Sequence, residues 1–455
     1  MKLARNVRNE IHQEPPYQRM IEPNISATHG FSKLIILVRA DPIICGHSTE
    51  ARNLAEAAIA GGFESVDIVS YPIDVLQASG LPLKPLDSIT PYSPGVKVHR
   101  PDPVGDYKVI DGRVGLGISG KIIDLLHASP GPALVMDLYL VPHGQMVMNA
   151  VGAYRSANPG KRVVTIGEAV GSDVTNVVSN AISSGSFGAA QLVLHNMLEH
   201  DLPVAVSAYT KAVIARAAAK VDSELGTRLA AQLEDRVEVV YPAIDTSRYL
   251  RLGQQPDKTQ AVLDHFGLER DGFVLFLSRI APAKGVGDLV NAFRASNLCG
   301  RKKLVIGGAG PLLDDIERRC AGDAAIHVLG SVSEADKEAL MQACYAYCLP
   351  SKPCTEFTET FGIALVEKML AGGRGVVVTT RTGGIPEATG GICLEHEAGD
   401  VADLTECLNR VAKMGDGARE LMAQQAQYHA RQFDRSVTLA KLLELAGGLA
   451  AEQAD

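Results

Sequence analysis

The sequence predicts an α/β protein made of two doubly wound parallel-sheet domains. Three observations carry that reading. Continuous apolar runs of strand length alternate with segments whose apolar residues recur at helical spacing, the pattern of parallel strands covered by helices on both faces. The alternation runs through twice, with a polar stretch at 243–256 between the two series. A chain of 455 residues, 46% of them apolar, supplies two full cores at roughly 150 residues per domain.

The elements follow in order. Residues 1–30 are polar, carry Pro15, Pro16 and Pro23, and read as an arm without a core. KLIILVR (33–39) is a buried strand. Leu54, Ala55, Ala58 and Ile59 then share one face of a helix from Ser48 to about Ala60, which Gly61-Gly62 ends. VDIVS (66–70) closes a β-α-β unit. Residues 72–115 break the rhythm with prolines and glycines and read as an insertion, with a hairpin at YKVIDGRV turning on Asp111-Gly112. Strands resume at 133–137, 162–167, 203–207 and 237–242, completing a first domain over 31–242. After the linker comes a short helix near Thr259–Phe266. The second series has strands at 272–278, 302–308, 325–330, 346–351, 375–380 and 391–396, in a domain spanning 257–430, and residues 431–455 are helical.

Composition excludes several function classes. Lys+Arg is 44 against Asp+Glu 52, a formal net charge of -8, so nucleic acid is not an expected partner. The 8 cysteines form no C-x-x-C pair, and Cys344, Cys348 and Cys354 match no common zinc spacing; a reduced, cytoplasmic setting follows. The N-terminus has no apolar core of a secretory signal, and no run of about 18 apolar residues offers a membrane span.

Familiar chemical motifs are missing too. There is no D-x-D, no H-E-x-x-H and no G-x-S-x-G. Gly307, Gly308 and Gly310 lack the third glycine of a dinucleotide fingerprint. Gly115 to Lys121 fits G-x-x-x-x-G-K, but Ile122 stands where a Mg²⁺-binding Ser or Thr belongs; a loop feeding a helix is the plainer reading.

The signals for chemistry gather after the second series of strands, where ligands of open parallel sheets bind. Arg279 and Lys284, with Gly285, are cations at a strand exit and suit a diphosphate, although alone they would read as solvated loop charges. Gly307-Gly308-Ala309-Gly310-Pro311 allows close backbone approach to a phosphate. Gly330-Ser331-Val332-Ser333 leads into a helix with Ser333 as its cap and Asp336 at its third position. Glu359 precedes Phe361-Gly362, and Glu367 stands among Ile363, Ala364, Leu365, Val366, Met369 and Leu370. A carboxylate in such a run needs a polar partner, which a ribose diol would provide. Thr382-Gly383-Gly384-Ile385-Pro386-Glu387 is a glycine turn entering a short helix.

Taken together across 272–390, Arg279 with Lys284-Gly285, Gly308 and Gly310-Pro311, Gly330-Ser331-Val332, Pro350-Ser351, Glu359 with Glu367, and Gly383 to Glu387 resemble glycosyltransferase family 4. The resemblance implies a GT-B fold, two Rossmann-like domains facing a central cleft, with a helix in 431–455 crossing back to the first domain. It implies a retaining, metal-independent transfer of a sugar from a UDP- or GDP-linked donor to an acceptor hydroxyl. No cofactor is expected; the nucleotide sugar is a co-substrate. Arg279 and Lys284 would hold the diphosphate and Glu359 the sugar hydroxyls. The backbone at Phe361 and Gly362 would approach sugar or phosphate, Glu367 would bind ribose, and Gly308, Gly310, Ser331 and Val332 would line the donor site. The first domain departs from the family. Its opening loop has one glycine, Gly46, followed by His47, and no histidine stands at Val164–Glu168; either Glu168, or His47, His143 or His195, takes that place on the acceptor side, or the role is dispensable. A sugar-nucleotide epimerase, a phosphorylase of related fold, and a non-catalytic sugar-nucleotide-binding module are the alternatives. Neither acceptor identity nor oligomeric state has a sequence signal.

Overall fold

The computed structural model describes residues 30–43, 45–81, 83–252, 255–354 and 357–452. The N-terminal arm lies outside them but for Gly30. Two parallel sheets organise the chain. The first contains β1 (Lys33–Leu37), β2 (Ser65–Val69), β3 (Val96–His99), β4 (Ala133–Leu138), β5 (Val163–Ala169), β6 (Leu202–Ala205) and β7 (Glu238–Val239), in the order β3-β2-β1-β4-β5-β6-β7. The second contains β8 (Phe273–Leu277), β9 (Lys303–Gly307), β10 (Ile326–Gly330), β11 (Ala346–Leu349), β12 (Val376–Thr380) and β13 (Leu394–His396), in the order β10-β9-β8-β11-β12-β13. Both orders reverse direction beside their first strand, so each sheet has a switch point there, between β1 and β4 and between β8 and β11. The fold class read from the sequence is the one observed.

The continuous apolar runs are explained by burial on both faces. Every residue of β1 and of β8 is buried. Ile36 of β1 packs with Leu54 and Ala58 of the helix Gly46–Ala60, while its neighbours Ile35 and Leu37 face Ile118 and Ile122 on the other side. In the second domain Phe273, Leu275, Phe293, Leu340 and Tyr347 belong to one large core.

Residues 96–115 differ from expectation. There is no hairpin at YKVIDGRV. Val96–His99 is instead a parallel edge strand, with Val66 opposite Val96. Asp111, at φ 54°, and Gly112 lead into a helix, Arg113–His127. Its Ile118, Ile122, Leu125 and Leu126 are buried at helical spacing, and this apolar stripe outweighs the turn preference of Asp-Gly. The G-x-x-x-x-G-K stretch therefore lies inside a helix. A Cβ at Gly117 would stand 2.3 Å from the Asp102 carbonyl oxygen, so this glycine serves the close crossing of a loop.

The chain crosses between domains twice, side by side. Ile244 donates its N–H to the Phe433 carbonyl (3.0 Å), and Arg435 N–H donates back to the Ile244 carbonyl (2.8 Å). Part of the polar stretch between domains is a helix, Thr246–Leu252, whose Tyr249 is buried in the second core. The helix Arg435–Glu452 lies on the first domain, where Leu439, Leu442, Leu443 and Ala446 join the core of β1. On the first domain, Glu50 Oε1 accepts from Ala243 N–H (3.1 Å) and Asn53 Nδ2 donates to its carbonyl (2.9 Å), fixing the start of the crossing. Among the described residues, no helix is long and apolar enough to cross a membrane.

Candidate functional site

The strand ends of the two sheets open towards one another. A Cβ built on Gly46, at the N-terminus of the helix Gly46–Ala60, would lie 3.5 Å from Ile363 Cδ1, at the N-terminus of the helix Ile363–Ala371. The positive ends of two helix dipoles thus converge across the cleft, an arrangement that favours an anion between them. Further contacts join the walls. Ser207 Oγ donates to the Thr360 carbonyl (2.6 Å), and Thr360 Oγ1 donates to the Val170 carbonyl (3.2 Å). Glu387 accepts from Ala208 N–H (2.7 Å) and Tyr209 N–H (3.0 Å), capping the helix Ala208–Leu225 of the opposite domain.

In the second domain, β8 runs out into Arg279 and a single turn, Pro282–Lys284. Gly285, at φ 67°, ends the turn; a Cβ there would stand 2.1 Å from the Pro350 carbonyl oxygen, so the exit of β8 is pressed against the exit of β11. Lys284, largely buried, forms an ion pair with the Glu359 carboxylate. Its Nζ lies 4.8 Å from the centroid of the Phe357 ring, and the Arg279 guanidinium lies 6.0 Å from it. Arg279 is exposed and has no ion-pair partner among the described residues. Arg279, Lys284 and Glu359 are therefore together, at the switch point of the second sheet.

The Glu359 loop is held by glycines. A Cβ at Gly383 would sit 1.9 Å from the Glu359 carbonyl oxygen, and one at Gly384 2.0 Å from that of Thr360. Gly384 N–H donates to the Glu359 carbonyl (3.0 Å). The Gly383-Gly384 turn is a backbone seat for Glu359. Gly308 and Gly310 act similarly: their Cβ atoms would meet the Ser278 and Ile280 carbonyl oxygens at 1.9 and 2.4 Å. Gly308 N–H already donates to the Gly330 carbonyl (2.7 Å), so that amide serves the fold.

Phe361, Gly362 and Glu367 are each engaged by the protein itself. Phe361 is 2% exposed and packs on Tyr241 and Phe433, with ring centroids 5.5 and 5.1 Å away, so its side chain belongs to the core at the domain junction. Gly362, at φ 105°, starts the helix behind Glu359. Glu367 finds its polar partners within the protein: the Tyr249 hydroxyl donates to Oε1 (2.7 Å), and Lys337 Nζ to the same oxygen (2.8 Å). Ser331 is exposed at the end of β10, and Val332 packs beside Gly307.

In the first domain Gly46, His47, His143 and Glu168 lie at the strand ends, whereas His195 is on an exposed helix face paired with Glu199 (3.2 Å). His143 is buried, and neither ring nitrogen makes a well-formed hydrogen bond among the described residues, with only the Leu138 backbone close by. Burial, and then the positive charge of Arg39, push it down to about 3. The same two causes push His47 down to about 4, and its Nδ1 is also unpartnered. Both imidazoles are neutral at physiological pH. Glu168 is buried beside Glu50, close enough for the two carboxyls to titrate together. Burial first, then the charges of Glu50, Asp137 and Asp173, raise Glu168, and burial pushes Glu50 up to about 7. Both carboxyls are raised, so the pair tends to hold a proton, and Glu168 is not set up as an ionised base.

Several residues of this region had no sequence signal. Arg39 lies two residues beyond β1, and its guanidinium rests 4.9 Å over the ring centroid of Tyr139, which follows β4. His200 is fully buried against Asp137 (2.7 Å), and a Cβ at Gly167 would fall 2.6 Å from its Nδ1, which is why a glycine precedes Glu168. Such pairs join residues distant in sequence, and no spacing announces them.

In comparison with known proteins, residues 272–414 match the model of the family described as Glycosyl transferases group 1. Two curated relatives are similar. The D-rhamnosyltransferase WbpZ of Pseudomonas aeruginosa is 31% identical over 160 residues, 30% of this chain and 39% of the relative. The D-inositol 3-phosphate glycosyltransferase of Salinispora arenicola is 28% identical over 231 residues, 47% of this chain and 49% of the relative. The matches thus span half or less of those proteins. Among solved structures, Anabaena HepE in complex with UDP and glucose superposes with a TM-score of 0.64 at 18% identity, covering 91% of this chain and 98% of that one. The catalytic domain of Starch Synthase IV from Arabidopsis thaliana, bound to ADP and acarbose, gives 0.67 at 13% identity, covering 93% and 100%.

Proposed function

We propose that this chain, a GT-B protein whose second domain carries a glycosyl transferases group 1 region, moves a sugar from a nucleoside diphosphate sugar to an acceptor hydroxyl. The observation that carries this reading is the Arg279–Lys284–Glu359 group at the β8/β11 switch point, faced by two converging helix N-termini. Cations and helix dipoles at one point match a leaving diphosphate, whose charge grows as the glycosidic bond breaks. Lys284 and Arg279 stabilise that charge without a metal. Glu359 holds Lys284 in place and presents its carboxylate to the sugar hydroxyls. No side chain in the group is set as a nucleophile, which supports same-face displacement with retention, the departing phosphate taking the acceptor proton. Glu367, anchored by Tyr249 and Lys337, offers its carboxylate edge to ribose. UDP- and GDP-sugars are the donors the reading favours.

The test is a thermal-shift screen of UDP-, GDP- and ADP-sugars with the intact protein, followed by transfer assays with and without EDTA. A saturable rise in melting temperature with one donor, and turnover that survives EDTA, are expected. Absence of any shift across the three would remove the reading. Turnover abolished by EDTA and restored by Mg²⁺ would remove its metal-free part.

A further inference from the structure

Arg39 is a conspicuous charge in the first domain because nothing among the described residues neutralises it. It is partly buried, at the β1/β4 switch point, and among the described residues it has no ion pair and no hydrogen-bond partner. The nearby carboxylates are committed elsewhere. Asp41 accepts from Arg52 (2.8 Å) and the Tyr92 hydroxyl (3.0 Å). Asp173 accepts from the amides of Leu140, Gly171 and Val174 at 3.0–3.1 Å. The Glu50–Glu168 pair faces its own proton and the Ala243 amide. A cation withdrawn from water without a counter-charge is unfavourable, and a protein keeps one where a ligand brings the missing anion.

The groups around Arg39 have the character of a binding surface. Tyr139, under the guanidinium, has a φ of 150°, a backbone strain that the surrounding structure must hold in place. His47 and His143 stand 5.8 and 6.1 Å from the Tyr139 ring centroid, and Tyr71 stands 5.7 Å from His143. His47 Nδ1 is buried and unpartnered, and neither nitrogen of His143 makes a well-formed hydrogen bond, the Leu138 backbone being its one neighbour of that kind. A cation on an aromatic plate, flanked by neutral imidazoles with unused hydrogen-bonding capacity, suits a polyhydroxylated molecule bearing one negative group.

We propose that Arg39 binds a phosphate or carboxylate carried by the acceptor, with His47 and His143 meeting the hydroxyls beside it. The inference rests on the transfer reading for the word acceptor, and on the geometry alone for the anion. It makes Arg39 a specificity residue: neutral sugars should be poor acceptors.

The experiment uses the full chain, saturated with whichever of UDP, GDP or ADP stabilises it most, so that the donor phosphates are occupied. Inorganic phosphate is then titrated by thermal shift at constant ionic strength against chloride. The parent should show a saturable stabilisation. Arg39→Gln should weaken phosphate binding by at least about tenfold, the scale of one charge-assisted hydrogen bond, while its nucleotide shift stays unchanged. Arg39→Lys should retain part of the phosphate response, which guards against a folding artefact. Transfer to matched pairs, glucose 6-phosphate against glucose and glucuronate against glucose, distinguishes the phosphate from the carboxylate. The favoured anionic member should lead in the parent and lose its lead in Arg39→Gln. A phosphate response that is absent, or that survives in Arg39→Gln, overturns the proposal. So does a loss of nucleotide binding in that variant, which would assign Arg39 to the donor. Phosphate bound through Arg39 without any nucleotide response would sink the transfer reading and leave the anion site standing.

Discussion

Lys284 meets a carboxylate before any substrate arrives, and this sets what its loss should do. Lys284→Ala removes a cation from the leaving-group side and leaves the largely buried Glu359 unpaired. Loss of such a group in a water-poor site lowers turnover by about 10²–10³. We expect a fall in kcat of that order for Lys284→Ala and a smaller one for the exposed Arg279→Ala, in steady-state kinetics with the donor found by screening. A kcat within about twofold of the parent for Lys284→Ala, well short of that range, would remove the diphosphate assignment. The Glu50–Glu168 pair makes a second prediction, whose sign follows from linkage. Both carboxyls titrate higher folded than unfolded, Glu50 at about 7 against an ordinary 4.5. The folded state therefore holds more protons above pH 4.5, and stability falls as pH rises through the folded values. Glu168→Gln removes that burden, so its melting temperature relative to the parent should climb between pH 5 and pH 8. A constant difference across that range would mean the pair does not share a proton. Glu168 was visible in the sequence as a polar residue at a strand end. Its partner Glu50, on a helix more than a hundred positions earlier, was not, and the partner sets the protonation state.

Glycine positions decide how the loops after the strands can pack. Gly383 and Gly391 both have positive φ, 63° and 72°, but a Cβ at Gly383 would strike the Glu359 carbonyl oxygen at 1.9 Å while one at Gly391 would meet nothing within 4 Å. Gly391→Ala should cost about 1 kcal/mol, and Gly383→Ala about 2–4 kcal/mol, the difference being overpacking. Urea unfolding of the two variants reads this directly; equal losses would show that the turn does not seat the Glu359 loop. Strands were legible because burial on both faces leaves an uninterrupted apolar run. The second half of the helix Arg113–His127 was legible, but its first two turns were not, because Gly115, Gly117 and Gly120 dilute the apolar stripe and Asp111-Gly112 imitates a hairpin turn. The edge strand β3, VKVH, has only partly buried or exposed residues, so it lacks the signature its neighbours carry. In the second domain Gly308, read from the sequence as letting backbone approach a phosphate, and the Gly383-Gly384 turn both press against backbone carbonyls.

Across the whole molecule, a few polar contacts bridge the two walls of the cleft. Glu387 caps the helix Ala208–Leu225 from the opposite domain, beside the Ser207–Thr360 hydrogen bond. Removing an N-terminal cap costs about 1 kcal/mol, and because this cap exists only when the domains touch, its loss should shift the balance towards open forms by several-fold. Glu387→Ala should therefore broaden the distance distribution in small-angle scattering without donor, with a nucleotide sugar drawing it back. Superposable profiles for parent and variant in both conditions would place the control of closure elsewhere. The two crossings at Ile244 and Phe433–Arg435 lie side by side, so a rotation of one domain against the other would pivot there.

The helix Arg435–Glu452 has a bearing on how the protein is made. Chains synthesised from the N-terminus usually finish their domains in that order. Here Leu439, Leu442, Leu443 and Ala446 are part of the layer covering β1. The domain translated first keeps an apolar face open until residues 435–452 have emerged. By then every strand of the second sheet has been made. Assembly thus runs against the direction of synthesis: the later half can be whole while the earlier half still waits for its cover, and a ribosome that stalls between the two leaves an aggregation-prone partial chain for chaperones to shield.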